Sequence, residues 1–439
     1  MQYPHLSHHS IFVIPAEEYL PSGTATLLYA PLTGYVMKVT PADIQQLENA
    51  AAGKEKPTDP SVQAHLDHLC NLSAYGKSMY SVTDPGEYLL LYILPNYICN
   101  FSCSYCFSAQ GRSDRELSKE ELKAALDYFI DSNRIREKKL FIIFLGGGEP
   151  TLSWELLKFG ITYIHTRAGA EKIDVTITLV TNGSVLSAEM LQTFVTHNVR
   201  IRVSFEVLEE IQNRQRGKYK RVCQSIDRLS AAGVYLQVRA MITPLNVERM
   251  VEMVQELADR FPGVEAYLFD PVTDKHIFCQ EEETRSFYKK YQQHFFRALD
   301  LARQQYKQLK CALSGNLDSI VPRYCYGELC LTPEATFTIC HRVSTPADER
   351  YTACTYGKID SSGRLVFDRE KFGRLIRTDT IHDNPDCKTC FLQWNCGGGC
   401  MVQNREYNPA IRKVICEFTR DFSTELLVRK LGPAPAGHV

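Results

Sequence analysis

The chain has 439 residues, 44% hydrophobic and 23% charged, the balance of a folded protein with a substantial core. Fifty Lys and Arg against 51 Asp and Glu leave a net charge of −1, which argues against nucleic acid or an anionic membrane surface as a partner. The first Lys is Lys38 and the first Arg is Arg112, so the start lacks the basic region of a signal peptide, and the longest apolar run, 88–94, is too short to span a bilayer. A cytoplasmic location follows as an expectation, and there sixteen cysteines point to metal or redox chemistry rather than to disulfides.

Residues 1–86 open with three short apolar runs at 10–14, 25–29 and 35–39, which read as strands. Helical patterns at 42–51 and 61–72 follow, so the segment reads as a small acidic α+β module. From 87 to 310 strand and helix signals alternate. β-rich runs lie at 88–94, 140–145, 174–180, 200–205, 235–242 and 265–269. Between them, helical patterns cover 154–167, 188–197, 219–232 and 247–260, and another opens at the capping box Ser118-Lys119-Glu120-Glu121. This alternation predicts an α/β fold of parallel strands with right-handed crossovers, a partial (β/α)6 TIM barrel. Residues 311–430 are dense in Cys, Gly, Thr and Pro and short of long periodic segments, so metal sites are expected to organise them. The last stretch, 431–439, reads as a frayed tail.

The cysteines fall into constellations. Cys99, Cys103 and Cys106 form C-x3-C-x2-C in the loop after the first barrel strand. Chance would produce that spacing about 0.02 times in a chain of this composition. Three thiolates are one short of the usual iron–sulfur set, leaving one iron open, as catalytic metal sites do. Cys387, Cys390, Cys396 and Cys400 form C-x2-C-x5-C-x3-C, followed by Cys416, and Gly397-Gly398-Gly399 lets the backbone approach a bulky group closely. With Cys325, Cys330 and Cys340 upstream, these eight thiols make two closed sets of four. Structural zinc is the competing reading of the spacing. On that reading the chain would be a zinc-stabilised, non-catalytic peptide-binding protein. Cys70, Cys223, Cys279 and Cys311 read as ordinary buried thiols.

These motifs resemble the radical S-adenosylmethionine (SAM) enzymes. C-x3-C-x2-C after a first strand is similar to the family signature, and the C-terminal pattern is similar to its SPASM extension, which carries two auxiliary [4Fe-4S] clusters. The resemblance covers about 87–420, and Ala335 stands where the SPASM pattern has a Gly before Cys340. It implies three [4Fe-4S] clusters. Cys99, Cys103 and Cys106 would hold the one that binds SAM. Cys325, Cys330, Cys340 and Cys400 would hold the first auxiliary cluster, with Cys354 or an open iron as the alternatives to Cys330. Cys387, Cys390, Cys396 and Cys416 would hold the second. For SAM itself it implies contacts from Tyr105, from Gly147-Gly148-Glu149-Pro150 after the second strand, and from Thr181-Asn182-Gly183 after the third. Ser204 and Glu206 after the fourth strand, Arg216, and Arg239 on the fifth complete that set, with Met241 beside it and Asp270 ending the sixth. Most of these positions lie at the C-terminal ends of predicted parallel strands, where β/α barrels place their sites.

The activity implied is reductive cleavage of SAM to a 5′-deoxyadenosyl radical, which removes a hydrogen atom from a substrate, with the electron from a donor such as flavodoxin or ferredoxin. Similar enzymes act mainly on peptides. The 1–86 module looks like the winged-helix-like element that captures a leader peptide, and an exposed strand edge there would add the leader as another strand. A ribosomally made precursor peptide with a leader is therefore the expected partner, and a thioether or carbon–carbon crosslink the expected product. The alternative is formylglycine formation, as in anaerobic sulfatase-maturing enzymes. Those carry Asp after the third SPASM Cys, where this chain has His341, the candidate base.

Overall fold

The computed structural model describes residues 3–19, 26–54, 82–378 and 380–431. Strands β1 (Phe12–Pro15), β2 (Thr26–Ala30) and β3 (Tyr35–Val39) form an antiparallel sheet in that order. Helix Pro41–Ala51 follows, its first turn closed by reciprocal hydrogen bonds between Thr40 and Asp43. The helix expected at 61–72, with Cys70, lies outside the described residues. Alternation along β2 gives the sheet two apolar faces. Leu28 and Ala30 join Leu6, Ile11, Ile44 and Leu47 in a core of the module's own. Leu27 and Tyr29 face the other way and pack with Phe12 and Ile14 against Leu317, Leu392 and Leu427. There the buried Tyr29 hydroxyl donates to Asn395 Oδ1 at 2.9 Å, which fastens the module to the cysteine-rich segment.

Six strands follow in sequential order, all parallel: β4 (Leu90–Ile93), β5 (Lys139–Phe144), β6 (Asp174–Thr181), β7 (Arg200–Ser204), β8 (Leu236–Ile242) and β9 (Ala266–Pro271). They match the six expected runs to within two residues. Amphipathic helices, among them Lys119–Phe129 with its Ser118–Glu121 capping box, bury the outer face. The fold is a partial α/β barrel that does not close. One edge is extended by β10 (Gln308–Lys310), parallel to β9. On the other, β11 (Leu329–Leu331) lies parallel to β4. Then β12 (Thr336–Thr338), β13 (Thr355–Ile359) and β14 (Leu365–Phe367) continue antiparallel, giving one eleven-stranded sheet. The cysteine-rich segment is therefore built onto the barrel's first strand rather than appended as a separate body.

One expectation for that segment is corrected. It contains the 22-residue helix Pro409–Lys430, which packs along the 24-residue helix Glu281–Gln304. The seam is aromatic: Tyr288, Tyr291, Phe295 and Phe296 meet Phe418 and Phe422, with Tyr288 and Phe418 stacked at 4.4 Å. Charged residues crowd the positions between these rings and mask the helical period. Among the described residues, no helix is long and apolar enough to cross a membrane.

Ala335 closes the β11–β12 hairpin with φ = +54°, the left-handed conformation that favours Gly, and its N–H bonds to Thr332 O at 3.0 Å. The Ala for Gly departure therefore keeps the turn and carries strain, since a non-Gly residue there costs about 1–2 kcal/mol. Ala335→Gly is expected to stabilise the chain by roughly 0.5–1 kcal/mol after the loss of Gly entropy. The check is a higher urea midpoint at unchanged slope.

Candidate active site

The loop leaving β4 holds Cys99, Cys103 and Cys106, and the glycine loop leaving β5 lies directly against it. A Cβ on Gly148 would fall 2.0 Å from the Ile98 carbonyl oxygen, and one on Gly147 would fall 2.7 Å from the Tyr97 ring. Only Gly permits that approach. Glu149 N–H donates to Ile98 O at 2.7 Å, and Asn96 Nδ2 donates back to Glu149 O at 3.0 Å. The Glu149 side chain, 2% exposed, turns into the protein. It accepts from Thr151 N–H (3.2 Å) and Oγ1 (2.7 Å), Thr181 Oγ1 (2.6 Å) and Asn182 N–H (2.7 Å). Asn182 Nδ2 in turn donates to Asn100 Oδ1 at 3.0 Å. The loops after β4, β5 and β6 are thus laced into one rim, and Pro150 opens the short turn Pro150–Ser153 beside it.

Three residues singled out from separate parts of the sequence meet at the end of β7. The Tyr105 hydroxyl bonds to Glu206, and Arg216 Nη1 donates to the Tyr105 oxygen at 2.8 Å. Arg216 Nη1 lies 3.7 Å from Glu206 Oε1, while the second Glu206 oxygen accepts from Met241 N–H at 3.1 Å. Burial lifts the Glu206 carboxyl from about 4.5 to about 7 despite Arg216. Burial works to lower the Arg216 pKa, but Tyr105, Cys103 and Glu206 together hold it above the ordinary value. Arg216 Nε is buried with no partner. An orphaned cationic donor beside an open thiol cluster suits an anionic group such as a carboxylate.

Inside the barrel Ser204 stands level with Arg239, whose Nε donates to Asp270 Oδ2 at 2.9 Å. The other Asp270 oxygen accepts from Ala312 N–H at 2.7 Å. Arg202, passed over in the sequence, shares this face: its guanidinium donates to Gln237 Oε1 at 3.0 and 3.1 Å. Strand alternation carries the signal for it, two residues before Ser204. Tyr92 was also missed, and its ring stacks on His341 at 5.5 Å and 27°. The edge of Phe107, next to Cys106, meets the same imidazole at 6.1 Å. His341 Nδ1 is held by Glu328, with both carboxylate oxygens within 3.0 Å. His341 thus stands between the three-cysteine loop and the β11–β12 hairpin.

All fifteen described cysteines are free thiols. Burial pushes the Cys103 thiol up, Arg216 opposes this, and the Cys106 and Cys99 thiols add to it. Burial likewise raises Cys340, and among the groups that add to the shift are Cys400 and Cys325. Cys396 is raised to about 12 by burial and then by Cys416, Cys390 and Cys387. Cys325, Cys340 and Cys400 thus lie within electrostatic reach of one another, and so do Cys387, Cys390, Cys396 and Cys416. The Cys330 thiol is fully buried on β11, and the groups acting on it are Glu328 and Thr338. Cys354 is buried too, beside Arg350 and Arg405. Of the four supposed buried thiols, Cys223 and Cys311 are buried, but Cys279, just ahead of helix Glu281–Gln304, is exposed. Tetrahedral zinc has Zn–S bonds of about 2.3 Å and so needs its sulfurs within about 4 Å of one another. Among the described residues, no three of these thiols come within 4.8 Å of one another.

Residues 93–257 match the family model of the Radical SAM superfamily. That segment belongs to the radical SAM superfamily. The curated protein named S-adenosylmethionine-dependent nucleotide dehydratase, from Pseudoalteromonas ulvae, is 26% identical over 154 residues, which are 33% of this chain and 48% of that protein. The chain thus spans about half the length of that curated relative. Two solved structures share the fold at 14% identity. The structure titled native anSMEcpe with bound AdoMet and Kp18Cys peptide is matched over 78% of this chain and 98% of its own, with a TM-score of 0.61. Streptococcus suis SuiB bound to precursor peptide SuiA is matched over 92% of this chain and 97% of its own, at 0.55. Radical SAM proteins bind SAM and a [4Fe-4S] cluster. The three thiols after β4 and the unpartnered Arg216 Nε are a donor set that fits both.

Two outcomes check this geometry. Glu149→Ala removes four hydrogen bonds to a buried carboxylate and is expected to cost about 3 kcal/mol or more, read from urea unfolding. The raised Glu206 pKa means the folded chain keeps a proton between about pH 4.5 and 7 that the unfolded chain has lost, so stability falls as pH rises through that window. Glu206→Gln should lose less stability than the parent over the same range, measured as unfolding midpoints at a series of pH values.

Proposed function

We propose that this chain is a radical SAM peptide maturase, which crosslinks side chains of a ribosomally made precursor peptide. The observation that carries the reading is the convergence of three thiols, Tyr105, Glu206 and Arg216, whose Nε is left without a partner, at one barrel rim. Seven further cysteines, Cys325, Cys340, Cys387, Cys390, Cys396, Cys400 and Cys416, lie in the segment that continues the sheet from β4 and in the turns and helices after it. Cys99, Cys103 and Cys106 would hold the SAM-binding [4Fe-4S] cluster, and Arg216 would take the SAM carboxylate. Tyr105, Ser204, Arg239 and the backbones of Gly147, Gly148, Pro150, Thr181 and Asn182 would line the rest of the cofactor. When bound, cluster and SAM supply a 5′-deoxyadenosyl radical once an electron arrives from a flavodoxin- or ferredoxin-type donor. The barrel wall around Tyr92, Arg202 and Arg239 would position the peptide and keep water away. His341, with Nδ1 tied to Glu328, keeps Nε2 for a substrate proton.

Support for a peptide comes from the two matched structures, both of which hold one. The three-stranded sheet adds to it, since β1 and β3 are its free edges among the described residues and offer a leader an edge to extend. Because Tyr29 and its neighbours share a core with Leu392 and Leu427, deleting residues 1–86 would damage the cysteine-rich segment as well. The leader is therefore better removed from the peptide than its reader from the enzyme. With SAM and a reductant, the leader-bearing precursor should lose two hydrogens and gain a crosslink found by tandem mass spectrometry, while the leaderless peptide turns over at least tenfold more slowly. A Cys or Ser converted to formylglycine would instead assign the sulfatase-maturing activity. Equal turnover with and without the leader would remove the recognition role of the sheet.

A further inference from the structure

Cys325, Cys340 and Cys400 lie within electrostatic reach of one another, and a carboxylate, Glu328, stands beside Cys340. β11 and β12 pair Cys330 with Thr338. One step further along the same face of that ladder, Glu328 falls opposite Cys340. Cys330 is set two residues, about 7 Å, deeper into the sheet. Oxygens of Glu328 lie within 4.8 Å of both Cys340 Sγ and a ring nitrogen of His341. The Cys325 thiol feels Glu328 more strongly than any other charged neighbour, and it also feels Cys400. Glu328 therefore borders Cys340 and lies within electrostatic reach of Cys325, and its side chain is only 12% exposed.

Resting on the reading of this segment as an iron–sulfur site, we propose that the Glu328 carboxylate, and not Cys330 or Cys354, is the fourth protein ligand of the first auxiliary cluster. One oxygen would bind iron through a lone pair that its hydrogen bond to His341 leaves unused. The His341 backbone N–H donates to Oε2 at 2.6 Å and Nδ1 lies 2.8 Å from Oε1, the kind of outer hydrogen bonds that fix a ligating carboxylate. Cys330 is then a core residue. It is 0% exposed, sits level with Tyr92 and Thr338 across its two strand pairings, and is felt by the hydroxyls of Tyr97, Tyr351 and Tyr356. A carboxylate in place of a thiolate makes one iron of the four chemically distinct and easier to exchange.

The test uses the full-length chain with Cys99, Cys103 and Cys106 all replaced by Ala, reconstituted anaerobically with iron and sulfide. It should hold about eight iron atoms per chain in two auxiliary clusters. Adding Cys330→Ala or Cys354→Ala should leave both that count and the electron paramagnetic resonance spectrum of the reduced protein unchanged. Adding Glu328→Gln should lose at least one iron and alter the spectrum, and Glu328→Cys should restore the count with a spectrum different from the parent's. Loss of about four irons with Cys330→Ala or Cys354→Ala, or an unchanged count and spectrum with Glu328→Gln, would overturn the assignment and leave the proposed function standing. A parent without auxiliary iron would overturn both together.

Discussion

A buried carboxylate holds the candidate site together. Glu149 sits at 2% exposure with four hydrogen bonds from the loops after β5 and β6, and its backbone is bonded on both sides to the segment that leads into Cys99. A carboxylate taken out of water is tolerable only when its lone pairs are filled, and here filling them fixes three loops relative to one another. The cysteine loop has little regular structure of its own, so this shared rim replaces the rigidity a strand or helix would supply. The glycines follow from the same constraint, because the close approach of Gly147 and Gly148 to Tyr97 and Ile98 leaves no room for side chains.

The second constraint is continuity of the sheet. Since β11 pairs with β4, the hairpin bearing Glu328, Cys340 and His341 is registered by main-chain hydrogen bonds against the strand that launches the three-cysteine loop. Tyr92 on β4 stacks on His341, and Phe107 closes on the same imidazole from the cysteine loop. His341 and Glu328 therefore stand between the three-cysteine loop and the β11–β12 hairpin. At the far side, the N-terminal sheet packs its Leu27 and Tyr29 face close to Cys390 and Cys396.

Much of this was legible in the sequence because the signals were local. Apolar, β-rich runs placed all six barrel strands, and the Ser118 capping box marked its helix start. The C-x3-C-x2-C spacing marked the three thiols carried by the loop after β4. What failed was non-local. Nothing in the chain order announces that β11 returns to β4, so Cys330 was counted with its sequence neighbours although pairing carries it into the sheet. The aromatic seam between Glu281–Gln304 and Pro409–Lys430 was hidden because each helix is highly charged outside its contact face. Arg202 carried a usable signal, sharing the strand face of Ser204, whereas Glu328 becomes visible only once the hairpin register is known.

The central claim is that the three thiols after β4 hold a redox-active cluster facing a SAM site, rather than zinc. The most direct measurement is anaerobic reconstitution with iron and sulfide followed by reduction with SAM present and chromatography of the nucleoside products. The account predicts 5′-deoxyadenosine and methionine in equal amounts from the parent chain and none when Cys99, Cys103 and Cys106 are replaced by Ala. A chain that takes up zinc in place of iron, and leaves SAM intact under reduction, would contradict it.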